Sequence, residues 1–197
     1  MNAQRYRWAS VLATLVLFQG AWLSCVVGAA QGAPGIGIAI VSIVIGVKLL
    51  SSENRSADLR LIALAMALGV VWDSALGAGG AVQYAASGAF KPLAPLWIVS
   101  LWALFATVLR TDLRWLHERR LAAALLGAVG GAASYASAAR LGAATFPNPM
   151  LALAIIAAGW ACMTPLLADA ARRLSRGDGG TVAAREAGGD SLAGGER

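Results

Sequence analysis

The chain is predicted to be an all-α integral membrane bundle of six transmembrane helices with both termini cytoplasmic. Three observations carry that prediction. Apolar segments of about membrane-spanning length fall near 8–30, 33–50, 60–80, 92–109, 121–143 and 148–171. The chain is 58% hydrophobic and only 13% charged, where soluble domains carry roughly a quarter charged residues. Finally, fourteen of the 16 Lys and Arg residues lie in alternate connections, leaving only Lys91 and Arg140 in the others. Such asymmetry is the positive-inside pattern.

The first span follows Arg5 and Arg7 and contains Gln19 and Gly20. Its charged start and the small residues Gly28, Ala29 and Ala30 resemble a signal peptide. The apolar run is too long for the usual h-region of about 7–15 residues, so it is expected to stay as a span. Gly32 to Gly37 with Pro34 makes an outer turn. The second span carries Ala39, Ser42 and Gly46 on one face, a small-residue surface expected to pack on a neighbour. Asp58 closes the next cytoplasmic loop as the expected N-cap of the third helix.

Gly77 to Lys91 is the longest outer connection, with Tyr84 and Phe90 expected as interfacial anchors, and Pro92 and Pro95 open the fourth helix. Residues 111–120 form a basic cytoplasmic turn in which Asp112, Arg114, Glu118 and Arg119 make helix-surface pairs. The fifth span bears the ladder Gly130, Ser134, Ala138 and Gly142, beside Gly127 and Gly131. Pro165 should kink the sixth span and free the carbonyl of Ala161. Residues 1–172 thus make one membrane domain, and the Gly-rich stretch 173–197 reads as a disordered cytoplasmic tail.

Composition sets several chemistries aside. The net charge of +6 sits at helix ends that face anionic headgroups, so no nucleic-acid partner is needed. The single histidine, His117, lies in the basic turn, and no cluster has metal-ligand spacing. No cofactor is implied. Cys25 and Cys162 should differ in depth by roughly 15 Å, beyond disulfide reach, and are expected as small buried hydrophobes.

Asp73 is the principal candidate. It lies about 12 residues into the third span, near mid-membrane, on a face with Met66, Gly69, Gly77 and Gly80. An ionisable group at such depth is a functional candidate, with a structural carboxyl as the plain alternative. Arg140, in the fifth span, is the expected partner that would offset its desolvation. Gln19, Trp22, Trp102, Tyr135 and Trp160 fall at similar depth. They form either a pocket for an acyl, isoprenoid or quinone-like ligand or ordinary interhelical packing. Interfacial belts account for Trp8, Trp97 and Trp115.

Three strings carry a resemblance: Phe18-Gln19-Gly20-Ala21-Trp22-Leu23-Ser24-Cys25-Val26-Val27-Gly28-Ala29-Ala30, then Pro92-Leu93-Ala94-Pro95-Leu96-Trp97 with Leu101-Trp102-Ala103-Leu104-Phe105-Ala106-Thr107, then Gly130-Gly131-Ala132-Ala133-Ser134-Tyr135 through Arg140-Leu141-Gly142-Ala143. Over roughly residues 8–171 the chain resembles the bacterial membrane-protein family called domain of unknown function 2878, and Asp73-Ser74 resembles its intramembrane acidic position. The resemblance implies a bacterial inner-membrane location. Family members are often encoded near cyclopropane-fatty-acid-synthase-like methyltransferases and flavin oxidoreductases, which implies a role in handling membrane lipids beside a lipid-modifying enzyme. Three readings follow. The chain is a lipid-pathway component binding a lipid or partner enzyme, or an enzyme on an acyl or isoprenoid lipid with Asp73 as acid/base and Arg140 on an anionic headgroup. The third is a small-solute or proton-coupled transporter titrating at Asp73.

Overall fold

The computed structural model describes the backbone of residues 2–87 and 93–193 and the side chains of 14–87 and 93–175. Six α-helices run in chain order: α1 (Asn2–Ala30), α2 (Pro34–Leu50), α3 (Arg55–Ala78), α4 (Leu96–Arg110), α5 (Arg120–Arg140) and α6 (Pro149–Ala193). The expectations for Trp8, Phe90, Lys91 and Pro92, and most of the tail expected over 173–197, lie outside the described side chains.

Among the described residues three helices are long and apolar enough to cross a membrane: α3, α5 and the Pro149–Ser175 part of α6. Only 33%, 28% and 28% of their apolar windows are buried within the fold. Leu121, Val129, Met150 and Val71 instead project outward, as surface in hydrocarbon would. The other apolar helices are shorter: Thr14–Ala30 among the described residues of α1, then α2 and α4. Helix α4, of 15 residues, is about 22 Å long and forms the axis of the bundle, touching α1, α2, α3 and α6. It is apolar around most of its circumference because it is enclosed on most sides.

Helices α1, α3 and α5 end in one way. Gly32, Gly80 and Gly142 take φ of 74°, 71° and 87°, a region open to glycine. The next residue in each case donates back across the last turn: Ala33 to Gly28, Ala81 to Leu76 and Ala143 to Ala138, as in a Schellman closure. At this end two short strands pair antiparallel, β1 (Gln83–Tyr84) with β2 (Ala144–Thr145), in the register Gln83–Thr145 and Tyr84–Ala144. The sequence offers no period-2 run for strands so short.

The opposite end is basic, and the four ion pairs among the described residues all lie there: Lys48–Asp112, Arg110–Asp58, Arg120–Asp169 and Arg172–Asp169. Asp58 is not the cap of α3. Asn54 is, accepting from the Ala57 N–H at 3.0 Å, and Asp58 is held by both Arg110 and Ser52. Asp112 pairs across the bundle with Lys48 at 3.0 Å rather than along a helix.

Close helix approach depends on a few glycines. A Cβ on Gly37 would overlap the Cys25 backbone, and one on Gly127 or Gly131 would overlap Thr164 or Trp160. The expected pair Gly127/Gly131 therefore joins α5 to α6. The expected α2 face does not pack: Ala39 and Ser42 are exposed and Gly46 has open space, while Gly37 and Val41 are buried. Trp97 is buried, not interfacial. Cys25 is buried and Cys162 exposed, both as free thiols.

Candidate functional site: a caged carboxylate behind an aromatic groove

Asp73 is fully buried, five residues from the end of α3. That places it about 8 Å from the strand end, above the mid-height expected. Its Oδ1 accepts the hydroxyls of Tyr84 at 2.6 Å and Tyr135 at 2.5 Å, and its Oδ2 accepts the Trp102 indole N–H at 2.7 Å. Four segments converge on one carboxylate: α3, β1, α4 and α5. Buried polar groups are retained when hydrogen-bonded in this manner.

Local structure sets each donor. Tyr84 is held inward by the β1–β2 pair and by the Ala85 N–H on Ala143, while the Trp97 indole N–H donates to Ala85 at 3.1 Å. Trp102 reaches Asp73 because Gly69, one turn earlier on α3, has no side chain; a Cβ there would overlap the indole. Ser74 receives the Ala94 N–H at 2.9 Å and fixes the connection into α4.

The expected pair between Asp73 and Arg140 is not formed. Arg140 is exposed at the end of α5, and the donors on Asp73 are two phenols and an indole. Three neutral donors take the place of a cation. Of the expected Asp73 face, Gly69 and Gly77 do lie beside the caging side chains, whereas Met66 is exposed and Gly80 lies beyond the helix.

Gln19, Trp22, Trp102, Tyr135 and Trp160 all line one cavity of about 650 Å³. It lies along α4, between α1 and α5. On α4 it is bounded by Trp97, Ile98, Leu101, Trp102, Phe105 and Val108, a single helical face about 16 Å long. On α5 it meets small residues, among them Gly130, Ala133, Ser134 and Ser137. The Trp22 indole N–H donates to the Ser134 hydroxyl at 3.0 Å, tying α1 to α5. Trp160 is the aromatic centre of the wall, stacked on Trp102 at 4.5 Å and edge-on to Phe105 and Tyr135 at 5.4 and 6.5 Å. Tyr84 lines the cavity too, which its reading as an interfacial anchor missed.

Asp73 does not line the cavity; its three donors do. The carboxylate stands behind the wall and orients it, and no face of it meets a molecule in the groove. A family model, "Protein of unknown function (DUF2878)", matches residues 11–166. The chain belongs to that family. The matched stretch contains Asp73, its three donors and all five of the groove residues anticipated from sequence. Neither a curated protein nor a solved structure matches the chain.

Proposed function

We propose that this DUF2878 chain is a six-crossing bacterial inner-membrane protein, both termini cytoplasmic, that holds the chain of a membrane lipid in the α1–α5 groove as part of a lipid pathway. One observation carries the reading: a groove of about 650 Å³, within the range of about 300–1,000 Å³ common for small-molecule sites, is elongated, aromatic-walled and set among outward-facing apolar helices. An elongated apolar cleft suits an extended acyl or isoprenoid chain better than a compact polar solute. The alternation of basic residues along the sequence supports the six crossings and the orientation. The partner in this reading is a lipid-modifying enzyme that receives or delivers the bound lipid.

The caging of Asp73 supports a positioning role for that residue. Asp73 is fully buried, receives three hydrogen bonds and does not line the groove, which sets it apart from a transported ion or a substrate proton. A second reading, an enzyme acting on the same lipid, draws on the Tyr84 and Tyr135 phenols, which line the groove while bonded to Asp73. In that reading a phenol meets the substrate.

Lipid profiles of a deletion strain complemented with wild type, Gly130→Phe or Tyr135→Phe test both readings. Gly130 lines the groove with no atom within 4 Å of a Cβ, so a phenyl group there fills the cleft. Loss of one lipid class restored by wild type and not by Gly130→Phe is the expected result. Unchanged lipids on deletion would end the lipid assignment. A class restored by neither variant, with the lipid still bound to purified Tyr135→Phe, would favour the enzyme.

A further inference from the structure

At the basic end a second cavity, of about 530 Å³, is lined by Arg114, Arg119, Arg172, His117, Ser175 and Trp115, with Glu118 as its single acidic residue. Trp115 lines the groove as well, so one indole borders both cavities. With Asp169 shared between Arg172 and Arg120 behind the lining, three guanidiniums face one lining carboxylate and the concavity is electropositive. Such forks match the oxygens of a phosphate. Arg172 shows unused capacity: its Nη2 donates to Asp169 at 3.1 Å, while its Nε is buried with no hydrogen-bond partner. A buried unsatisfied donor is costly, and a turn of the Arg172 guanidinium toward a phosphate oxygen in the cavity would relieve it. Juxtamembrane position alone accounts for scattered arginines; it does not account for three gathered around one cavity that shares a lining indole with an apolar groove.

We infer that this cavity is a phosphate site and that groove and cavity together select an anionic phospholipid by phosphate at the arginines and chain along α4. This rests on the lipid reading above, and adds the headgroup class to it. Trp115, half exposed between the two, sits at the junction of headgroup and chain, a level indoles favour.

The test is retention of radiolabelled dioleoyl phosphatidate and of dioleoylglycerol, which shares its chains and lacks phosphate, by purified full-length protein in detergent. Arg114 and Arg119 are exposed, so Arg114→Gln/Arg119→Gln is expected to fold normally. That double variant should weaken phosphatidate retention about tenfold or more and leave dioleoylglycerol unchanged. Gly130→Phe should weaken both. Equal phosphatidate retention by the arginine variant and wild type would overturn the phosphate site while the groove stands. Undiminished dioleoylglycerol retention by Gly130→Phe would instead sink the groove itself. Displacement of phosphatidate by millimolar inorganic phosphate, with that phosphate bound equally by Gly130→Phe, would assign the cavity to a soluble phosphate and overturn the lipid headgroup.

Discussion

Replacing Asp73 by Asn keeps size and shape but turns one acceptor into a donor. If the amide nitrogen takes the Oδ2 place, it faces the Trp102 N–H; if it takes the Oδ1 place, it faces two phenols. Either way a buried donor is left unsatisfied, at about 1–3 kcal/mol. Asp73→Asn should therefore unfold in detergent at lower temperature than wild type, by about 2 kcal/mol of stability, and Tyr135→Phe by less. An unchanged melting curve for Asp73→Asn would show that the three hydrogen bonds are not made. The neighbouring glycines give a sharper contrast. Gly131→Ala would overlap Trp160 and should cost about 1–3 kcal/mol, whereas Gly130→Ala meets open space and should be near neutral. Asp73 was legible in the sequence because an acid inside an apolar run stands out. Its partners were not. Arg140 is the cation closest to its expected depth, but Tyr84 reaches Asp73 through an outer loop whose inward fold depends on a four-residue strand pair, too short to leave a periodic signal.

Among the elements, α4 organises the rest. It carries the groove face, the Trp102 donor and, at its last residue, Arg110 on Asp58. The side chains of that ion pair are 12% and 10% exposed, so removing one partner strands a nearly buried charge. Arg110→Ala is expected to lose about 3 kcal/mol, measured by thermal unfolding, and to loosen α3 from α4. The pair was not legible, because 51 residues separate its members and Asp58 also fits the start of a helix. The six apolar segments were readable in outline. Which faces pack was readable only in part. Small residues serve both close approach and open surface, so the pair Gly127/Gly131 and the small-residue faces of α2 and α5 look alike in sequence. Only that pair meets bulky partners, Thr164 and Trp160, while Gly130 of the α5 ladder and Gly46 of the α2 face have open space.

Across the whole molecule, polarity separates the two ends. Ion pairs and arginines gather at one, and glycine closures with a strand pair at the other. A reporter fused after Arg197 should therefore behave as cytoplasmic, and one placed after Ser87 as periplasmic; the reverse result would invert the proposed orientation. The groove is a property of this scale as well, since no single helix contains it. Its five anticipated residues come from α1, α4, α5 and α6, and their convergence was legible only as similar depth. The most direct test of the account is native mass spectrometry of the protein released from mild detergent, comparing wild type with Gly130→Phe. The account predicts lipid adducts on wild type that are lost from the folded variant. Identical adducts on both, or a wild type that carries none from its native membrane, would contradict a lipid-holding groove.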